Sequence, residues 1–185
     1  VCFSDLSTAK WTKWHRESYA VGALARFNVS SQWLHPLAAS VAEKFGLKAP
    51  CYNPFMCNVA QIVESVQVVE DSLKLIDELL SMGLDESKMK VPVEPKAGNG
   101  AGCVEAPRGI LFHRYMFDEN GICEGANITV PTHQNHASIQ HDFEEFVPQI
   151  IDKPQEDVTL LMEMLVRSYD PCISCSCHYL NVEFV

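Results

Sequence analysis

The run from Pro54 to Met82 limits this chain more than any other stretch. Val59, Ile62, Val63, Val66, Val69, Leu73, Ile76, Leu79 and Leu80 recur at steps of three and four residues. Side chains at those steps share one face of a helix. Gln61, Glu64, Asp71, Lys74 and Asp77 fill the opposite face. The pattern predicts one long amphipathic helix, ending at Gly83 and serving as core scaffold.

Other elements follow from local punctuation. His35-Pro36 opens a helix to about Phe45, stopped by Gly46, and Ala49-Pro50 and Asn53-Pro54 mark a loop after it. Residues 83–107 are rich in Gly, Pro and Lys and read as loop. The run Gly98-Asn99-Gly100-Ala101-Gly102 within them permits close backbone approach. It lacks the Gly-Lys-Ser/Thr ending of a phosphate loop. Ile110–Phe117 and Gly125–Val130 read as strands, joined through Asp118-Glu119-Asn120-Gly121 as a hairpin. Pro131 ends the second, because it cannot donate to a ladder. A helix is expected over His136 to Phe146. Another begins at Pro154, with Gln155, Glu156 and Asp157 complementing its dipole and Val158, Leu161, Met162, Leu165, Val166 and Tyr169 as its buried stripe. The fold class is therefore α+β, mainly helical, with a β-hairpin before the C-terminal helices.

The chain of 185 residues is long enough for one domain or for part of a larger one. A net charge of -10 argues against nucleic acid or an anionic membrane as the main partner. No apolar run reaches membrane-span length, and no secretory signal opens the chain. It begins at Val1 within domain-like sequence, as expected of a fragment, a processed chain or a split gene. Trp11, Trp14 and Tyr19 read as packing residues, and Arg26 as a structural arginine paired with backbone or a carboxylate.

Eight cysteines stand at 2, 51, 57, 103, 123, 172, 175 and 177. Three fall within six residues, in Asp170-Pro171-Cys172-Ile173-Ser174-Cys175-Ser176-Cys177-His178. Neighbours that close are poor disulfide partners and natural metal ligands, so a reducing compartment is expected. Cys172 and Cys175 at Cys-x-x-Cys spacing can converge on one metal, and His178 can supply an imidazole. On spacing alone the site could hold a structural zinc or perform thiol redox chemistry. Cys51, Cys57, Cys103 and Cys123 read as structural and Cys177 as a small buried residue. His133, His136 and His141 read as surface groups or neighbours of the site.

Three motifs occur in a specific order: Glu105-Ala106-Pro107-Arg108-Gly109, then Val130-Pro131-Thr132-x-x-Asn135, then Asp-Pro-Cys-x-x-Cys-x-x-His at 170–178. Together with Tyr19-Ala20-Val21-Gly22 and Ala25-Arg26-Phe27-Asn28, they closely resemble the large, catalytic subunit of NiFe hydrogenases. The resemblance covers essentially the whole chain. It is nearest to the cytoplasmic multimeric enzymes, which couple hydrogen to NAD(P), to the deazaflavin cofactor of methanogens or to a heterodisulfide-reductase type complex.

The resemblance implies roles. Cys172 would be the terminal nickel thiolate and a proton acceptor, and Cys175 the thiolate bridging nickel and iron. His178 and the Ile128 carbonyl would bind a separate magnesium or iron ion. Arg108 would overhang the open nickel–iron position. Pro107, Val130 and Pro131 would line the pocket for the iron's carbonyl and cyanide ligands, and Thr132 would hydrogen-bond a cyanide. Soft thiolates suit nickel and low-spin iron, and a fixed guanidinium can stabilise developing negative charge. A small subunit with iron–sulfur clusters would take the electrons.

Two features depart from the family pattern. The N-terminal Arg-x-Cys-Gly-x-Cys-type segment, which supplies the other two cysteines and a proton-relaying glutamate, is not in this sequence. The family is usually cleaved after the motif's last His or Arg, whereas Tyr179 to Val185 remain here. The expectation is residues 1–185 as the C-terminal part of a large-subunit domain, completed by a chain carrying the N-terminal half. The competing readings are a non-catalytic hydrogenase-like scaffold and a zinc-binding interaction module.

Overall fold

The computed structural model describes residues 12, 15, 17–83, 85–172 and 182–183. Trp11, Trp14, Cys175, Cys177 and His178 lie outside the described residues.

Five helices and one small sheet make up the described fold. Helix α1 (Ala23–Ser30) follows Gly22, whose φ of 118° is open only to glycine. Helix α2 (Pro36–Lys44) begins on the predicted proline, with Gly46 at φ 70° just beyond it. Helix α3 (Cys57–Met82) is the long periodic run, and Gly83 at φ 75° terminates it. The three pack together around Leu24, Phe27, Ala38, Ala42, Ala60 and Val63. The small alanines of α2 and α3 let those two helices approach closely.

Strands β1 (Gly98–Ala106), β2 (Gly109–Phe117) and β3 (Cys123–Thr129) form an antiparallel meander in sequence order. The Asp118 carboxylate accepts from the Asn120 and Ile122 amides at 2.9 and 2.8 Å and so holds the β2–β3 turn. These donors, Ile122 first, keep its pKa below the usual carboxylate value. The predicted hairpin is thus present, but it is two-thirds of a larger sheet. Gly98 to Ala106, expected as loop, is a strand in register with Phe117 to Gly109. Cys103 and Cys123 are exposed on this sheet rather than packed, while Cys51 and Cys57 are half-buried.

Helix α4 (Pro131–Ile150) starts five residues before the expected His136. Pro131 both ends the strand and serves as the first helical residue, where its missing N–H costs nothing and its fixed φ suits the helix. Helix α5 (Gln155–Ser168) follows Pro154 as expected. Phe143, Ile150, Val158, Met162 and Leu165 form a second core between α4 and α5.

One expectation differs in substance. Of the apolar face of α3, only Ala60 and Val63 are buried. Leu73, Ile76 and Leu80 are 60%, 52% and 69% exposed. The helix is scaffold along its first three turns, and along its last three every residue from 72 to 82 is exposed, with Lys74 reaching the His35 ring at 3.2 Å. Fully buried Leu165 and exposed Leu73 should therefore behave differently. Leu165→Ala is expected to cost about 2–5 kcal/mol in denaturant unfolding of this chain. Leu73→Ala is expected to change it by less than about 0.5 kcal/mol.

Candidate functional site

The site is built where the β1–β2 turn, the start of α4 and the end of α5 meet. Pro107 and Arg108 form the two-residue turn between β1 and β2, and Gly109 begins β2 at φ 138°. A Cβ on Gly109 would lie less than van der Waals distance from Val21 and 3.2 Å from the Pro131 Cβ. Glycine is required there so that the turn can lie against both segments.

Arg26 holds that turn from below. Its guanidinium grips Glu64 of α3 through two bonds of 2.5 and 2.6 Å. It also donates to Glu105 Oε2 at 2.7 Å, Ala106 O at 3.1 Å and Pro107 O at 2.8 Å. The hydrogen bond to Glu64 is the main reason its pKa is raised further. The structural arginine expected from sequence is confirmed, with both kinds of partner.

With the turn fixed, Arg108 reaches across to the end of α5. Its Nε donates to the Asp170 backbone carbonyl at 2.8 Å and lies 3.1 Å from Asp170 Oδ2, and its Nη2 lies 3.3 Å from Oδ1. Gln61 of α3 donates to Asp170 Oδ2 at 3.1 Å. Asp170 itself is left-handed, at φ 47°, a conformation that Asp tolerates better than most residues.

Thr132, in the first turn of α4, is 3% exposed, and its hydroxyl oxygen accepts from the Cys172 amide at 3.2 Å. Two buried amides behind it anchor the α4 start. Asn135 accepts from Val21 N at 2.8 Å and donates to Val21 O at 3.2 Å. Gln134 donates to Ile110 O at 2.6 Å and accepts from Tyr19 at 3.1 Å.

Arg108, Pro131, Thr132 and Cys172 are thus brought into one neighbourhood, with Pro107 exposed on the turn and Val130 half-buried before α4. Ile128 lies near the end of β3, in register with His113 and 44% exposed. The Cys172 sulfur is disulfide-bonded here, so its reduced form is the one able to bind metal. Among the described residues no group of three His, Cys, Asp or Glu side chains could hold a metal ion. Cys172 contributes one soft donor, suited to nickel, iron or zinc; Cys175 and His178 are outside the described residues. Sequence reasoning gave no role to Asp170 or Gln61. The place of the first at the head of the Asp-Pro-Cys motif is its sequence signal, and nothing local marks the second.

A second cluster lies behind the site. The Tyr169 hydroxyl donates to Asp142 Oδ2 at 2.5 Å, and burial raises the pKa of both groups. Burial, and then the nearby Asp142 charge, push the Cys57 thiol up to about 11. The thiolate is the reactive form. At about pH 8, Cys57 should therefore be alkylated by iodoacetamide at least tenfold more slowly than exposed Cys103 or Cys123. Peptide-resolved mass spectrometry checks this, and equal rates would contradict it.

Comparison with known proteins agrees with this architecture. A nickel-dependent hydrogenase family model matches residues 5–178. A vhc F420-non-reducing hydrogenase chain of Methanococcus voltae is 31% identical over 173 residues, which is 90% of this chain and 36% of that protein. The alpha chain of sulfhydrogenase 1 of Pyrococcus furiosus is 35% identical over 178 residues, 95% of this chain and 40% of that protein. The chain thus spans well under half the length of these relatives. Among solved structures, an NAD+-reducing NiFe hydrogenase in its hydrogen-reduced state superimposes with a TM-score of 0.64 at 23% identity, over 87% of this chain and 36% of that one. That likeness establishes the hydrogenase large-subunit fold. The chain belongs to the nickel-dependent hydrogenase family.

Proposed function

We propose that this chain is the C-terminal part of a NiFe hydrogenase catalytic subunit. In the complete assembly it would take part in the reversible conversion of hydrogen to two protons and two electrons. The observation that carries this reading is the convergence at Cys172. Thr132 binds the Cys172 amide and Arg108 binds Asp170, two residues before that cysteine. Three motifs distant in sequence meet at the Asp170–Cys172 segment, as a shaped surround for a metal-binding cysteine requires.

A bound nickel–iron centre, its iron carrying carbonyl and cyanide, would supply the position at which hydrogen is split heterolytically. The chain's own residues would do the rest. Cys172 and Cys175 would hold the metals as thiolates. The Cys172 sulfur would receive the proton and could release it again near neutral pH, because a thiolate beside cationic metal has lowered proton affinity. Arg108 would stabilise the charge that separates, and its clamp on Asp170 pre-sets its position. Thr132 accepts from Cys172 N, so its hydroxyl proton remains available to donate to a cyanide. Pro107, Val130 and Pro131 would present an apolar wall. His178 and the Ile128 carbonyl would hold a magnesium or iron ion.

The remaining partners follow from the same reading. They are the part of the large subunit with the first cysteine pair, a small subunit with iron–sulfur clusters, and an NAD(P)-, deazaflavin- or heterodisulfide-reductase-type acceptor, in the cytoplasm. No helix among the described residues is long and apolar enough to cross a membrane.

Elemental analysis and infrared spectroscopy of the purified assembly test the proposal. Nickel and iron, with carbonyl and cyanide stretches, are the expected result. Cys172→Ser should abolish nickel retention. Arg108→Lys should keep both metals but lower turnover by about 10²–10³-fold, the usual effect of losing one charge-stabilising donor. Zinc alone, or no metal, would sink the proposal.

A further inference from the structure

The Tyr169–Asp142 pair behind the site has no part in the proposed chemistry, yet it holds the segment that carries Cys172. Tyr169 caps α5: its amide donates to Val166 O at 3.1 Å, and the Asp170 amide donates to Arg167 O at 3.0 Å. Those three-residue bonds tighten the end of the helix just before the left-handed Asp170. Two side chains of α4 then hold the outgoing chain at two points. Asp142 Oδ2 accepts from the Tyr169 hydroxyl at 2.5 Å, and the Thr132 hydroxyl oxygen accepts from the Cys172 amide at 3.2 Å. At 1.5 Å per residue, Thr132 and Asp142 are about 15 Å apart along the helix axis. The segment is therefore strung antiparallel along α4, with one bond at each end and Asp170 gripped between them by Arg108 and Gln61.

The pair is built for direction rather than for stability. Tyr169 is half-buried and packs its ring against the core between α4 and α5. Phenylalanine would fill the same space, and apolar groups of the same shape replace a buried polar pair at little cost in stability. What the hydroxyl adds is one preferred orientation, because a hydrogen bond to a carboxylate is short and directional. Burial, the main reason the pKa of Asp142 is raised, also makes that bond stronger than it would be in water. Cys57, at the start of α3, lies beside both groups and is a neutral thiol, so it brings no competing charge. The other charged neighbours of Asp142, Glu145 and His141, are exposed.

We propose that Asp142 and Tyr169 are positioning residues for the site: their hydrogen bond fixes the direction in which the chain leaves α5, and so places Cys172 and the Asp170 that holds Arg108. Neither residue touches the reacting atoms in this arrangement. The role in turnover rests on the catalytic-subunit reading, whereas the placement of Cys172 does not.

The test compares Tyr169→Phe and Asp142→Asn in the purified native assembly, with residue-resolved amide hydrogen exchange, metal content and hydrogen-oxidation kinetics as readouts. Tyr169→Phe removes only the hydroxyl. It should speed exchange of the Cys172 amide about tenfold, the size of one lost hydrogen bond, and leave Phe143 and Leu165 in the core within about twofold. Nickel and iron should be retained, with kcat lowered about tenfold and KM for hydrogen within about twofold, as for a loss felt only in the transition state. Asp142→Asn keeps an oxygen that accepts from the phenol, so exchange and kcat should both stay within about threefold of the unsubstituted assembly. Unchanged Cys172 exchange in Tyr169→Phe would overturn the inference, as would an equal loss in Asp142→Asn. Exchange that rises equally through α4 and α5 would also overturn it, since the pair would then serve stability alone. Amide exchange is read whether or not the assembly holds nickel, so failure here and failure of the catalytic proposal are distinguishable.

Discussion

The guanidinium of Arg26 is the interaction on which the rest of the site depends. It sits 24% exposed between two carboxylates and two backbone carbonyls. Through it α1, α3 and the β1–β2 turn become one unit. The planar fork of arginine can bind Glu64 with two bonds and still reach the turn, which a lysine cannot do. With the turn fixed, Arg108 extends to Asp170, whose carbonyl and carboxylate hold its guanidinium.

The same logic runs through the start of α4. Gln134 is fully buried and Asn135 3% exposed, yet both find backbone partners in segments more than twenty residues away. Buried amides of this kind carry a penalty if any partner is lost. They therefore specify one arrangement of the α4 start against the sheet and the Tyr19–Val21 segment. Thr132 inherits that rigidity and passes it to the Cys172 amide.

Much of this was legible in the residues, for physical reasons that differ by element. Helices α2, α3 and α5 announce themselves through proline at or next to the start, glycine at the end or an apolar period. The β2–β3 hairpin shows in Asn120-Gly121. Strand β1 does not show, because Gly98, Gly100 and Gly102 have no strand preference of their own. They are extended because they pair with Phe117, Tyr115 and His113. Helix α1 is too short for its period to register. The ordered motifs identified Arg108, Thr132 and Cys172 as residues of one site. The contacts among them, and the part played by Gln61, join residues 40 to 109 positions apart and leave no local trace.

Asp170 shows how side-chain contacts hold a backbone in a conformation most residues avoid. The residue that closes α5 adopts a left-handed conformation, where glycine would be the comfortable occupant. Glycine there would relieve the local strain but would remove the carboxylate that both Arg108 and Gln61 grip. Backbone geometry and side-chain contacts therefore ask for different residues at this one position, and the contacts have prevailed.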